Sequence, residues 1–213
     1  GHGLRRIYPG LSGLDGLAVL EIASAIELRE LGDQRPILLL EGVFGSAELK
    51  LALEHQLSVV VYSMEQVDLL LQSRETKRID VFVKVNTGMN RLGFPTSSLD
   101  EVLLKLKDRN VVGIMSHFAS ADSDKAFTDN QVEIFVSETK KLSLPLSIAN
   151  SAGVLSFPDS HLDWVRPGIM LYGGSPYDRA IPELKSAMTL LAPVIAVNNI
   201  RASQSVGYGR TWM

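Results

Sequence analysis

The 213 residues contain no cysteine. Disulfide frameworks and thiolate metal sites are thereby excluded, and the composition fits a reducing cytoplasm. Basic blocks are also missing. The 21 Lys and Arg are outnumbered by 24 Asp and Glu, for a formal net charge of -3. Nucleic acid and anionic membranes are poor partners for such a surface. No apolar run approaches the roughly 20 residues that span a bilayer, and no signal or transit segment opens the chain. No dinucleotide-type glycine fingerprint follows any strand-like run, which disfavours a doubly wound nucleotide sheet. What is present is 46% hydrophobic and 21% charged, the balance of a globular domain long enough to bury a full core. The chain opens on Gly1 and closes on Gly209-Arg210-Thr211-Trp212-Met213. Both ends read as cuts through a longer chain.

Seven short β-branched or leucine-rich runs punctuate the chain, at residues 17–20, 37–40, 58–62, 81–85, 111–115, 146–149 and 164–166. Between them lie segments with helical spacing. Residues 21–31 put Ile22, Ala25, Ile26 and Leu28 on one side and stop at Gly32, a C-terminal cap. Ser63 to Gln66 and Ser98 to Glu101 read as capping boxes, and Thr128 with Gln131 as a third. Alternation of apolar strands and helices predicts a parallel sheet covered by helices, in units of βα. Seven units are one short of an eight-stranded barrel, and a strand before Gly1 would supply the eighth. The expected fold is therefore α/β, a TIM-type (β/α)8 barrel lacking its first strand. After Gly173-Gly174-Ser175-Pro176 the pattern changes: residues 189–197 read as a long apolar strand interrupted only by Pro193, and Val206-Gly207-Tyr208-Gly209 makes a glycine-rich turn. The expected division is a barrel domain over residues 1–180 and the start of a C-terminal β domain over 181–213.

In such barrels, polar residues at the C-terminal ends of strands face the active site. Lys84 sits inside Val81-Phe82-Val83-Lys84-Val85, where both faces should be buried. An unpaired buried ammonium costs several kcal/mol, so it needs an anion or must lose its charge. Two readings stand: a lysine that snorkels to water, or one used at the site mouth with Arg91 on the following loop. His117 ends the next run and is either a hydrogen-bonded structural residue or a functional one. Asn150 and Ser151 open a strand-to-helix turn, where small residues either cap the helix or seat an anion. Arg166 closes the last run, and Pro167-Gly168 turns the chain directly after it. Gly168 permits close backbone approach to a ligand. Barrels commonly bind phosphate at the loops after strands seven and eight, here Asn150-Ser151 and Gly168-Ile169. A phosphorylated cofactor or substrate is the physical inference.

These segments together resemble bacterial alanine racemase. The matching stretches are Gly1-His2-Gly3, Asp15-Gly16-Leu17-Ala18-Val19, Leu28-Arg29-Glu30, the run from Pro36 to Gly42, Lys84 to Gly93, Ser116-His117-Phe118-Ala119, Asn150-Ser151-Ala152 and Trp164 to Gly173. They follow the family's order over nearly the whole chain. The resemblance implies a pyridoxal 5'-phosphate enzyme that interconverts L- and D-alanine by two-base proton transfer. It further implies a cytoplasmic head-to-tail homodimer, serving peptidoglycan synthesis or alanine catabolism. It assigns Ser151 and the backbone of Gly168 and Ile169 to the cofactor phosphate, with Asn150 beside them. Arg166 takes the place of the arginine that donates to the pyridine nitrogen, and His117 supports it. Arg91 lies near the cofactor's phenolic oxygen and the substrate carboxylate. Lys84 matches a lysine carbamylated in some members, which would turn a buried cation into an anion able to pair with Arg91.

Two family essentials fall outside the chain on this reading, the Schiff-base lysine before Gly1 and a tyrosine beyond Met213. Tyr208 does not match that tyrosine. The chain alone is expected to be inactive. A non-catalytic pyridoxal-phosphate barrel would lack the β segment begun at residues 189–197. A decarboxylase of similar fold would carry glutamate where Arg166 stands.

Overall fold

The computed structural model describes residues 2–212. Its centre is a parallel sheet. The strands are β1 (Leu17–Val19), β2 (Ile37–Leu39), β3 (Ser58–Val61), β4 (Asp80–Asn86), β5 (Phe94–Pro95), β6 (Asn110–Met115) and β7 (Leu146–Ser147). They follow the order β1-β2-β3-β4-β6-β7, with the short β5 paired to the end of β4. Every pairing is parallel, as right-handed βα crossovers dictate. The helices α2 (Ile22–Glu30), α3 (Ser46–Glu54), α4 (Met64–Leu71), α5 (Leu99–Lys105) and α6 (Lys125–Thr139) connect them. Two shorter helices, α1 (Leu4–Ile7) and α7 (Ser151–Ser156), flank the sheet in sequence.

Burial explains the strand composition. All four residues of β3 are buried, because helices cover one face and the concave sheet encloses the other. Along β4, Val81, Val83 and Val85 join the apolar core. The alternate residues Asp80 and Phe82 line a cavity of about 860 Å³ on the concave face, and strand alternation puts Lys84 on that same face. A bulge between Val81 and Phe82 shifts the register of β6 and seats Gly113 opposite Phe82. A Cβ at Gly113 would come within 2.5 Å of the Phe82 ring, so the sheet packs only with glycine there.

The parallel barrel-type sheet is as expected, and several local expectations are corrected. Residues 164–166 form no strand: Trp164 makes one isolated parallel bridge to Ser147, and the chain then turns. That bridge nonetheless carries the sheet toward its other edge, since a side chain begun at Gly16 would meet the Trp164 ring at 3.6 Å. Residues 189–197 also pair with nothing among the described residues. Leu190, Val194 and Ile195 are at least 81% exposed, and an apolar run without a ladder partner is not a strand. Within 181–212 the only β pairing is the bridge from Val206 to Trp212. Of the three capping boxes, Ser63 caps α4, its hydroxyl accepting from the Gln66 amide at 3.5 Å. Ser98 makes no cap bond, because a turn of 3-10 helix leaves it with helical angles. Thr128 and Gln131 lie inside α6, which Asp124 caps one turn earlier through the Phe127 amide at 3.0 Å. At the other end of α2, Gly32 adopts φ of 90° and ends the helix as read.

Candidate functional site

The C-terminal ends of β4, β6 and β7 meet the turn that follows Trp164, and Arg166 is the point of convergence. Its backbone amide donates to Ala149 O at 2.9 Å, which docks the 164–168 segment beside the Asn150 turn. The guanidinium Nη1 donates to Ser147 Oγ, and that hydroxyl passes its own proton to Trp164 O at 2.8 Å. Nη2 donates to Ser116 O at 2.6 Å and to His117 Nδ1 at 3.2 Å. An arginine has five N–H donors and no acceptor. Three are taken by protein acceptors behind the guanidinium, leaving the Nε–H and one Nη1–H for the cavity that Arg166 lines with Ser151.

His117 is thereby fixed in one tautomer. Nδ1 accepts from Arg166, so the proton of the neutral ring sits on Nε2. Burial, then the positive charges of Arg166, Lys84 and Arg91, hold the imidazole down at about 4. Lys84 is 8% exposed. Burial and the same neighbours Arg166 and Arg91 bring its ammonium down to about 8, against a smaller opposing pull from Glu41. Arg166 itself is lowered to about 10 by burial. Three cationic side chains around one neutral histidine, with one carboxylate nearby, make a site whose electrostatics call for an anion.

Two helix starts beside it carry groups that could hold one. Asn150 caps α7, its Oδ1 accepting the Gly153 amide at 3.0 Å. The structural reading of Asn150 is thus realised, and it leaves Ser151 at the first helical position with its hydroxyl free to donate. Ser151 Oγ accepts the Met170 amide at 3.3 Å, which ties this helix start to the 3-10 turn Ile169–Tyr172. The Ile169 N–H, first in that turn, has no acceptor within it. The Gly168 N–H bonds Arg166 O at 2.9 Å, so an anion drawing on that amide competes with this bond. Arg91 stands apart from the seat, exposed on the loop after β4. That loop is shaped by a residue the sequence reading passed over. Asn86 Oδ1 accepts the amides of Gly88 and Asn90, both at 3.0 Å. Gly93, at φ of 123°, brings the loop within 2.8 Å of the β4 backbone as measured from an added Cβ.

Ser116, Ser147, Thr87 and Gln131 were also missed as site residues. They carry no charge and sit at buried positions, where sequence offers only the presence of a hydroxyl or amide inside an apolar pattern. Among the described residues no three His, Asp or Glu side chains gather as a metal set, and no helix is long and apolar enough to cross a membrane.

A parallel α/β barrel-type sheet with a buried arginine, a neutral histidine and a lysine gathered at its strand ends is the class that fold and site define. The chain belongs to the family described as alanine racemase, N-terminal domain, whose model matches residues 1–176. It is 43% identical over 219 residues to the alanine racemase of Nitrosomonas eutropha, covering 98% of this chain and 61% of that protein. Its structure is similar to that of the biosynthetic alanine racemase of Pseudomonas aeruginosa, with a TM-score of 0.93 and 38% identity over 100% of this chain and 62% of that one. An alanine racemase of Bartonella henselae with covalently bound pyridoxal phosphate is similar at a TM-score of 0.75 and 26% identity, over 86% and 56% of the two chains. The chain thus spans about three fifths of the relatives it matches.

Proposed function

We propose that this chain is the pyridoxal-5'-phosphate-binding barrel of an alanine racemase that acts as a homodimer, supplying or consuming D-alanine. The observation that carries the reading is Arg166, clamped from behind by Ser147, Ser116 and His117 with free N–H donors toward the pocket it shares with Ser151. The pocket fits the cofactor at both ends. Ser151 Oγ and the Ile169 amide, with Gly168 in competition with Arg166 O, offer donors to a phosphate at two joined helix starts. Arg166 offers an N–H to an acceptor nitrogen. Bound there, pyridoxal phosphate would supply the electron sink that acidifies the α-hydrogen of an amino acid. Arg166 cannot give up its proton in practice, so a pyridine nitrogen facing it stays unprotonated. Such a nitrogen would make the weaker sink, which would favour proton return at the α-carbon over side reactions. Arg91, exposed on the loop after β4, is the residue we assign to a substrate carboxylate, a role that its charge near His117 and Lys84 supports. A carbamate on Lys84 would answer the repulsion from Arg166 and Arg91 that adds to burial in depressing the free amine.

Titration of the chain with pyridoxal phosphate, followed by absorbance, should show saturable binding that inorganic phosphate competes away. Ser151→Ala should weaken it about tenfold, the worth of one hydrogen bond to a charged group. Absence of saturable binding, or equal affinity in the variant, rules the reading out.

Racemisation needs one base on each face of the α-carbon. His117, held at about 4 and committed to Arg166, is no base at neutral pH, and Lys84 leaves one at most. The chain on its own is expected to give no turnover in a coupled D-alanine assay, and turnover above background contradicts this.

A further inference from the structure

Behind His117 lies a run of buried polar bonds that the reaction chemistry does not itself require. Gln131 is fully buried in the middle of α6, on the side turned to the sheet. Its Oε1 accepts the Ala119 amide at 3.0 Å, and its Nε2 donates to His117 O and to Thr87 Oγ1, both at 3.1 Å. The amide therefore brackets Phe118, bonding the residue before it and the residue after it. Three bonds use both amide hydrogens and the carbonyl.

The chain of donors beyond Gln131 has a single direction. Thr87 Oγ1 receives the Gln131 hydrogen and lies 2.8 Å from Ser116 Oγ. Ser116 Oγ gives its own hydrogen to Val85 O at 2.9 Å, so Thr87 is the donor to Ser116. Gln131 to Thr87 to Ser116 to Val85 is one ordered relay, tying α6 to the ends of β4 and β6. Ser116 O and His117 Nδ1 are the two acceptors of Arg166 Nη2. The relay thus holds the two groups that aim the guanidinium. All its members are buried, and no buried polar side-chain atom among the described residues lacks a partner. A fully satisfied buried network is stiff, and its partial loss costs more than one bond.

We propose that Gln131 is a positioning residue: by clamping the backbone on both sides of Phe118 and setting the Thr87–Ser116 hydroxyls, it fixes His117 and Ser116 as the acceptors that orient Arg166. Its bearing on catalysis rests on the function proposed above, whereas the geometry can be tested without cofactor.

The test is Gln131→Met, which keeps length and volume and removes all three bonds, alongside wild-type chain in both ligand-free and pyridoxal-phosphate-titrated samples. The groups facing His117 are Arg166, Lys84 and Arg91, and none is altered. Nitrogen-15 NMR of the imidazole reads the tautomer and titration of His117. In the variant, His117 should lose its single tautomer and titrate at least one pH unit higher, as the ring turns from Arg166 toward water. Affinity for pyridoxal phosphate should fall about tenfold. A residue with a merely structural role would lower the thermal midpoint and leave His117 unchanged, and that result overturns the proposal. If Gln131→Met does not fold, Thr87→Val decides in its place: an upward move of His117 there, absent in Thr87→Ser, supports the relay, and an unmoved His117 in Thr87→Val refutes it. Should His117 move as stated while wild-type chain binds no pyridoxal phosphate, the positioning role stands and the proposed function falls.

Discussion

Replacement of Arg166 by alanine is expected to cost about 100-fold in affinity for pyridoxal phosphate while leaving stability within about 1 kcal/mol. The two effects separate because they draw on different faces of the guanidinium. Binding loses a charge-assisted donor to the ring nitrogen and the positive charge nearest the anion seat, at about 1.5–3 kcal/mol for each such bond. Folding loses three bonds, to Ser147 Oγ, Ser116 O and His117 Nδ1. It also sheds a cation whose burial is costly enough to lower arginine to about 10 and which repels Lys84. Two of the freed acceptors belong to Ser147 and His117, which line the cavity where water can reach them, and only Ser116 O is left away from it, so the orphan penalty stays small. A third readout follows from the sign of the neighbouring charges. Arg166 and the burial it maintains both depress His117 to about 4. Without the guanidinium the imidazole should titrate at least one pH unit higher. Calorimetric titration gives the affinity, chemical denaturation the stability, and NMR the titration. A His117 that stays near 4 in Arg166→Ala would show that Arg166 plays no part in holding it neutral.

How much of this could be read from sequence depended on whether a residue's chemistry clashed with its pattern. β3 announced itself because four successive residues are buried from both sides, and such a run admits little but valine. Lys84 stood out as an ammonium inside a run of valines, and burial does depress it. Arg166 and His117 were legible as the polar ends of apolar runs, and they do meet. Gln131 carried the same kind of signal, a polar side chain on the buried side of a helix with Thr128 and Phe135. It was misread as a cap member, since spacing from Thr128 matches a capping box and the competing cap Asp124 lies one turn upstream. Caps depend on the φ/ψ of the residue before the helix, and Ser98 at φ of -96° and ψ of -3° shows how a preceding turn cancels the motif. Residues 164–166 look like a strand in composition, yet Pro167 and the need to aim Arg166 across the sheet end leave one bridge. Residues 189–197 show the limit from the other side. Apolarity alone makes no strand where no edge among the described residues pairs with it.

Lys84→Met is expected to stabilise the chain at pH 7 in buffer free of carbon dioxide, by about 1–3 kcal/mol once solvent screening near the cavity mouth is allowed for. The folded ammonium titrates at about 8 against an ordinary 10.5. Between those values the unfolded chain holds a proton that the folded chain has released, so stability of the wild type rises with pH across that window and is lowest below it. Methionine keeps the unbranched stem among the apolar neighbours and removes the charge. The gap between variant and wild type should therefore be largest below pH 8 and close as pH climbs to 10.5, where lysine is neutral in both states. For a chain of 213 residues the gain at pH 7 corresponds to a rise of roughly 2–4 °C in melting temperature per kcal/mol. Bicarbonate should act on the wild type alone. Addition of carbon dioxide to the free amine forms an N–C bond, releases a proton and leaves an anion among the cations Arg91 and Arg166, which reverses the sign of every pair that now repels. The wild type should gain stability with bicarbonate at pH 8 and the methionine variant should not. A variant no more stable than wild type at pH 7 would mean that Lys84 already has an anionic partner, Glu41 being the one carboxylate that pulls against the depression.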